Sequence, residues 1–585
     1  MPERRPRVTI VGAGIAGMSA ALRLLQAGCA VTVIERTARV GGQFGAVEDR
    51  GRYHEHAFHI FADWCQNFFS ICREIGLRRP TDPGQEAVAF VPQTAFLTLQ
   101  PITRESSLKG REIEDFRRLE YLGSPQYFWK NVNSGVAHWS DMVIYLYSIL
   151  DLLSDDSLDN DRTKEFLNRV SVNGFMRSRA YASDIAALLH HELLLKVFAV
   201  PSYRTSARAY QTYLRHTAAF PPGTPTGLDS PERSPSFWAM DGNVHQRFWL
   251  PFLDKLAETA RTKGVEFRLR HNEEVIGVSV EGYSDGARVT RMKFAGATES
   301  LAGPLLLAVP PTKLVEILRN SPELVTAAPG LTDVGYLEAV PVPALNLYFN
   351  KRLDLPKEHI TLLDMPDDFY LSDLSLARKN GIASRYGLSL VDHSRLWPKL
   401  ENQDRTVLSV LAADAKLLMG EADDTIKQRL IETLKRYIRF DEGDIEYAHL
   451  QNHQEEPLFV NTEGSWEYRP EARLDEGIED APTETARRFP RPHRKVGNLF
   501  LAGDYCRSEV DIVSVEGAIV TGITAAHLIC AEVPPPIRPR PFDRRQVREA
   551  KALLEGWLGL VTRRAGTNFL TERDAAIRRL NATRS

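Results

Sequence analysis

Three glycines and an acid offer the clearest chemistry in this sequence. Gly12-Ala13-Gly14-Ile15-Ala16-Gly17 reads G-x-G-x-x-G, and Glu35 follows downstream. Gly12 permits a tight turn out of a strand, Gly14 lets the backbone approach a pyrophosphate, and Gly17 lets a helix lie close to a strand. Glu35, roughly 20 residues on, is placed to accept hydrogen bonds from ribose hydroxyls, and its charge disfavours a 2′-phosphate. The set is that of a dinucleotide site.

Other candidates are scattered. Asp504 ends the apolar run Leu499-Phe500-Leu501-Ala502-Gly503. An acid at the carboxyl edge of a parallel strand sits in the ligand crevice of an open α/β sheet. Arg247 follows Asp241-Gly242-Asn243 amid aromatic residues. A guanidinium there either serves the reaction or forms a structural ion pair, and both readings stay open. His54, His56 and His59 crowd one stretch. Their offsets fit no single helical face, and no cysteine or carboxylate set completes a metal centre. No metal is expected. A G-x-S-x-G with triad partners is missing, and Met18-Ser19 stands where a phosphate-binding loop needs Lys-Ser/Thr.

The elements that must position the glycines fall in order. Val8 to Val11 is a short apolar run suited to a buried parallel strand. Met18, Ala21, Leu22, Leu24 and Leu25 share a helical face, and Gly28 sits at the expected C-cap. Ala30 to Ile34 is the second strand. The helix between them offers unpaired N–H groups and a positive dipole end to phosphates.

Glu35 and Gly41-Gly42 make E-x5-G-G, which resembles the extended fingerprint of FAD-containing oxidoreductases. The run GGQFGAVEDRGRYHEHAFHIF is similar to the segment that follows the nucleotide motif in phytoene and zeta-carotene desaturases. Glu55, His59, Ile60 and Phe61 match that family; Ala57 replaces a glycine, and Ala62-Asp63-Trp64 replaces the Phe-Gly-x-Tyr that usually follows. The Asp241-Gly242-Asn243 turn with Arg247, and LFLAGDY…VEGAIVTG near the C-terminus, resemble the same family. The resemblance runs from residue 8 to about 530 and weakens in the middle. It implies FAD held by Gly12, Gly14, Ile15, Ala16, Gly17, Glu35, Arg36, Gly41, Gly42, Gln43, His59, Ile60, Val275, Gly503, Asp504, Val515 and Ala518, with Arg247 and His59 at the reacting end. Asp504 would accept from a ribityl hydroxyl. The helix beginning at Val515 would stabilise negative charge on the reduced flavin.

The fold implied is α/β: a Rossmann-type FAD domain of the amine oxidase and phytoene desaturase type, with an inserted α+β substrate domain. The expected nucleotide unit is 1–105, 237–330 and 481–532, and the substrate unit is 106–236 with 331–480. Strands are expected at Ala344 to Phe349, Tyr386 to Val391 and Val407 to Ala412, with a helix near Asp424 to Ile438. Residues 221–236 are a Pro/Gly/Ser-rich loop. The implied activity is removal of a hydride from a long apolar, isoprenoid-like substrate, with quinone or O2 taking the electrons onward. An amine or amino-acid oxidase is the alternative, weakened because Gln43 stands where such enzymes commonly carry arginine. A redox-neutral isomerase or dehydroxylase, or a flavin-binding protein without turnover, completes the set.

The whole chain agrees. Its 585 residues exceed one ordinary domain, and 43% hydrophobic with 25% charged residues is globular. A net charge of -3 provides no field to attract nucleic acid. Five scattered cysteines argue against a disulfide framework, and no run is long enough to span a bilayer. The expectation is a cytoplasmic protein, with peripheral contact to a membrane surface left open. The tail 533–585 starts Pro534-Pro535-Pro536, is rich in arginine, and carries the stripe Leu553, Leu554, Trp557, Leu558, Leu560 and Val561. Such a helix either lies on anionic lipid or docks on the body with its basic face in water; docking is the preferred reading. The segment Trp139 to Leu153 reads as a buried core helix rather than one at a lipid-facing entrance.

Overall fold

Short strands that are apolar on both faces need cover on both sides, and that requirement shapes the nucleotide-binding half. The computed structural model describes residues 5–93, 96–99, 119–121, 139–154, 166–178, 184–219, 237–282, 286–362, 386–397, 404–473 and 496–564. Five strands form a parallel sheet: β1 (Arg7–Val11), β2 (Ala30–Ile34), β3 (Phe267–Arg270), β4 (Leu305–Leu307) and β5 (Leu499–Leu501). Their order is β3-β2-β1-β4-β5. The order reverses direction beside β1, so a crevice opens where the β1 and β4 carboxyl ends diverge.

Helix α1 (Ile15–Gln26) returns from β1 to β2, and its buried face includes Met18, Ala21, Leu22, Leu24 and Leu25. It packs on α2 (Val515–Ile529). A Cβ at Gly522 would come within 2.2 Å of the Ala16 carbonyl oxygen, so glycine there permits the close crossing. Gly28 follows α1 with φ +79, as its C-terminal position requires.

A seven-stranded sheet makes the other half. Its order is Leu119–Tyr121, Phe96–Leu99, His359–Leu362, Leu388–Asp392, Val407–Ala412, Ala344–Phe349, Ile445–Gln451. All ladders are antiparallel except Phe96–Leu99 with His359–Leu362. Thus Phe96–Leu99, inside the 1–105 segment, joins this sheet and not the parallel one. The helix Asp423–Leu434 covers it with Ile426, Leu430 and Leu434 in a shared core. A small antiparallel sheet, Ile60–Ala62, Phe237–Met240 and Phe90–Pro92, lies near both halves and brings distant chain segments side by side. The 221–236 loop lies outside the described residues.

The tail docks. Helix α3 (Arg544–Arg564) lies along Trp139–Ser154, where Val143, Tyr147 and Leu558 form a small core. Lys551 pairs with Asp151 at 2.8 Å, and the Tyr147 hydroxyl donates to Glu555. Leu553 and Trp557 remain exposed. Upstream, Asn67 clasps Ile537 through both of that residue's backbone groups, at 2.9 and 2.8 Å. Among the described residues no helix is long and apolar enough to cross a membrane.

Candidate functional site

The glycine loop shows which of its glycines serve the fold and which serve a ligand. Gly12 has φ +103, and a Cβ there would sit 2.3 Å from the Ala308 carbonyl oxygen at the end of β4. A Cβ on Gly17 would sit 2.2 Å from the Gly12 carbonyl oxygen and 3.1 Å from Ile10. Both glycines are required by packing. Gly14 differs, because a Cβ there would meet nothing within 4 Å. The space beside it is open, on the crevice side.

The first turn of α1 has no side-chain cap and no acid. Its leading N–H groups, beginning at Ile15 and Ala16, therefore await an acceptor. An uncapped helix N-terminus beside an open glycine suits a pyrophosphate. Glu35 completes the arrangement. Its Oε2 accepts from the Ala13 N–H at 2.9 Å, while Oε1 accepts from the Thr37 N–H and hydroxyl, each at 2.9 Å. Three donors leave acceptor capacity for a ribose hydroxyl. Gly41 bridges onto Gly14, and its N–H donates to the Ala13 carbonyl at 2.9 Å. The Gly41-Gly42 pair thus closes over the loop. These features together fit FAD.

The far end of the crevice is built from β5 and α2. Thr521 on α2 accepts from the Gly503 N–H at 3.1 Å. Burial pushes the Asp504 carboxyl up to about 6, against the charge of Arg469 and the N–H groups of Asp504 and Tyr505. A ligand hydroxyl would add a further donor to this carboxylate. Arg469, which sequence reasoning missed as an organiser, is buried. It donates to the carbonyls of Asp504, Tyr505, Cys506 and Asp511 at 2.7–3.0 Å. Half-buried Val515 and buried Ala518 lie in the first turn of α2, which Ser514 caps by accepting from the Gly517 N–H at 3.0 Å.

The side chains of other expected cofactor residues have partners within the protein. The Arg36 guanidinium is exposed and pairs with Glu456 at 2.6 Å. Gln43 donates to the Pro457 carbonyl at 3.0 Å. Val275 is buried with Val11 and Ile34 in the core under the crevice. Arg247 makes a two-pronged pair with Asp241 at 2.6 and 2.9 Å and donates to the Val88 carbonyl at 3.2 Å.

The three histidines part company. The His54 ring stacks on His449 at 3.9 Å, and His56 stacks on His453 at 3.5 Å. Asp49, His54 and His449 place one donor atom each within 4.8 Å of one another. The Asp49 carboxylate there is already engaged by the Tyr447 hydroxyl and His449 Nδ1. Only His59 turns inward, edge-on to Phe44 at 4.8 Å.

His59 and Ile60 line a small cavity of about 20 Å³. Phe61, Ala239, Met240, Val244, Val391, Leu396 and Trp397 make most of its wall, with Glu55, His59 and His393 as polar points. Phe44, two residues past Gly42, packs edge-on against His59 in its wall. Glu55 is buried; it accepts from the Val244 N–H at 2.8 Å and lies 3.7 Å from His59 Nδ1. The cavity draws on residues 55–61, 239–244 and 391–397, and nothing in the sequence pointed to His393.

Comparison with known proteins places this architecture. The model of a family described as flavin containing amine oxidoreductase matches residues 15–530. The zeta-carotene desaturase of Capsicum annuum is 36% identical over 74 residues, 12% of this chain and 13% of that protein. The chain thus spans only a small part of the zeta-carotene desaturases it matches. The 15-cis-phytoene desaturase of Synechococcus elongatus is 22% identical over 553 residues, 90% of this chain and 96% of that protein. The solved structure of cyclohexylamine oxidase from Brevibacterium oxydans IH-35A superposes with a TM-score of 0.55 at 14% identity, covering 90% and 99% of the two chains.

Proposed function

The chain belongs to the flavin containing amine oxidoreductase family and is an FAD-dependent oxidoreductase; from that premise we propose that it desaturates a long, largely apolar, isoprenoid-like molecule. One observation carries this reading. The small cavity lined by His59 and Ile60 is walled chiefly by aliphatic and aromatic side chains, a lining that favours apolar over charged groups. Similarity to a phytoene desaturase along most of the chain supports it.

Each part of the protein then has a task. The α1 N-terminus and Gly14 hold the pyrophosphate, Glu35 the ribose, and Asp504 the ribityl chain. FAD, when bound, supplies the hydride acceptor, with quinone or O2 as the onward acceptor. The apolar wall around Ile60, Met240 and Trp397 favours an apolar substrate. The Arg247–Asp241 pair fixes the 241–244 turn, which contributes Gly242 and Val244 to the cavity. The parallel sheet with its helices forms the nucleotide unit, and the seven-stranded sheet is the substrate unit. Exposed Leu553 and Trp557 on the basic tail suit contact with a membrane surface, where such substrates dissolve.

A second reading has its own observation. Glu55 is a buried carboxylate in the cavity wall, and an ammonium would neutralise it. That favours an amine oxidase. Anaerobic mixing of the purified holoprotein with polyenes in liposomes or with amines separates the two. Loss of the oxidised flavin absorbance with a polyene is expected. Loss with amines alone would replace desaturation by amine oxidation.

A further inference from the structure

The glycine pair of the cofactor loop is held by a residue far along the chain. Gly41 and Gly42 both take positive φ, +110 and +54, and they open a tight turn. The Phe44 and Gly45 N–H groups close it, donating to the Gly41 and Gly42 carbonyls at 3.0 and 3.1 Å. Glycine has the widest conformational freedom of any residue, so two in succession need a fixed point outside the turn. The Trp249 indole supplies it. Its Nε1–H donates to the Phe44 carbonyl at 2.6 Å, and a Cβ on Gly41 would lie only 2.8 Å from the same nitrogen. Trp249 is fully buried, tilted against Phe44 with ring centroids 6.1 Å apart.

Trp249 reaches the turn from a rare piece of backbone. Residues His245–Trp249 form a π-helical turn, in which the Leu250 N–H bonds back to the His245 carbonyl. Such turns carry one residue more than an α-helical turn and are found frequently at functional sites. Here the extra residue reconciles two registers. On one side the Val244 N–H donates to Glu55 and Arg247 pairs with Asp241. On the other the helix Leu250–Lys263 continues, with Phe252 stacked on Phe248 at 5.4 Å. Without the extra residue the two sides would be rotated by about 100° relative to each other. Trp249 would then miss the glycine turn wherever Arg247 kept Asp241.

The turn is joined directly to the pyrophosphate loop. The Gly41 N–H donates to the Ala13 carbonyl at 2.9 Å, and a Cβ on Gly42 would lie 3.5 Å from the Gly14 Cα. We infer that Trp249 is a positioning residue of the cofactor site, which holds the Gly41–Gly45 turn in shape before FAD arrives. Binding then need not order two free glycines, and a loop already in its bound shape gives the tighter complex. The inference goes beyond the choice of substrate and rests only on FAD lying against the glycine loop.

The test reads FAD affinity and apoprotein melting side by side. Trp249→Phe removes the N–H, and titration of its apoprotein with FAD should give a dissociation constant at least about tenfold above the parent's. Trp238→Phe is the control, because Trp238 is another buried indole, donating to Asp63 at 2.8 Å. It should lower apoprotein melting and leave FAD affinity within about twofold of the parent's. If Trp249→Phe does not fold, benzothienylalanine at position 249 takes its place, keeping the fused rings with sulfur instead of the N–H. The same loss of affinity is expected. Parental FAD affinity in the folded variant, or an equal loss in Trp238→Phe, overturns the inference. Gly14→Val separates it from its premise. FAD retained by Gly14→Val removes the site and the inference together. FAD lost there, beside normal affinity in the folded Trp249 variant, removes only the role of Trp249.

Discussion

The His453 ring lies 3.5 Å from that of His56, near parallel at 25°, with His453 Nε2 2.9 Å from the His56 carbonyl oxygen. This stack joins the 46–56 hairpin to the turn after the last strand of the second sheet. It forms between neutral rings. Burial, and then each neighbouring imidazole, hold His56 well below its ordinary value; burial lowers His453 to about 4. His54, stacked on His449, is lowered to about 4 in the same way. Unfolding frees these rings to titrate near 6.5, so the unfolded chain binds more protons below that pH. Stability is full above about pH 6.5 and declines as the pH falls toward 4, by about 1.4 kcal/mol per pH unit for each ring. Urea midpoints at pH 7.5, 6 and 5 should fall in that order, and His453→Phe should flatten the slope. A midpoint independent of pH across that range would rule out neutral stacks.

Gly14 and Gly17 should respond in opposite ways. Gly14→Val places its side chain in open space, so the apoprotein should melt as the wild type does while FAD is lost. Gly17→Ala drives a methyl against the Gly12 carbonyl and should cost about 1–3 kcal/mol of stability. Flavin absorbance and apoprotein melting read the two effects separately. A yellow Gly14→Val protein would remove the pyrophosphate from this loop.

Arg247→Ala should retain FAD and lose turnover, because the 241–244 turn loses its anchor. Asp241→Asn should reproduce the loss, since it removes the same pair from the other side. Steady-state kinetics on both variants checks this. A normal Asp241→Asn enzyme beside a crippled Arg247→Ala enzyme would place Arg247 on the substrate instead.

Glu516 binds the start of the helix Gln66–Glu74. Its carboxylate accepts the Asn67 and Phe68 N–H groups at 2.8 and 2.9 Å, and the Asn67 side chain at 2.8 Å. Glu516→Ala leaves buried donors unmet and should cost about 1–3 kcal/mol. It should also loosen the tail, because the same Asn67 holds Ile537. Protease cleavage near residue 540, slow in the parent and fast in the variant, is the expected signature.

Leu553 and Trp557 face outward from α3 although its other face is docked. If the tail touches lipid, Leu553→Asp with Trp557→Asp should reduce co-sedimentation with anionic vesicles several-fold without changing flavin content. Unchanged sedimentation would leave α3 with docking alone.

The nucleotide half was legible in the sequence because its signals are local. The strand, glycines, helix, strand and acid of residues 8–35 lie in one short run, and each residue's task is set by its near neighbours. The strands at Ala344–Phe349 and Val407–Ala412 were legible for the same reason, since alternation and turn residues mark their ends. Other relationships join segments far apart in the chain, and only the tertiary structure decided them. Phe96–Leu99 shows no local sign of which sheet it joins, because an edge's hydrogen bonds are chosen by the partner strand. The GlyGly-to-Phe61 run contains three histidines of equal standing, yet packing gives two of them to His449 and His453 and leaves only His59 to the cavity. Arg247 is fixed by its pair with Asp241, and Glu516 became a helix cap through contact with a segment some 450 residues away. His393 had no signal at all. Its meaning comes from burial beside an apolar wall, and burial belongs to the packed molecule rather than to any stretch of the chain.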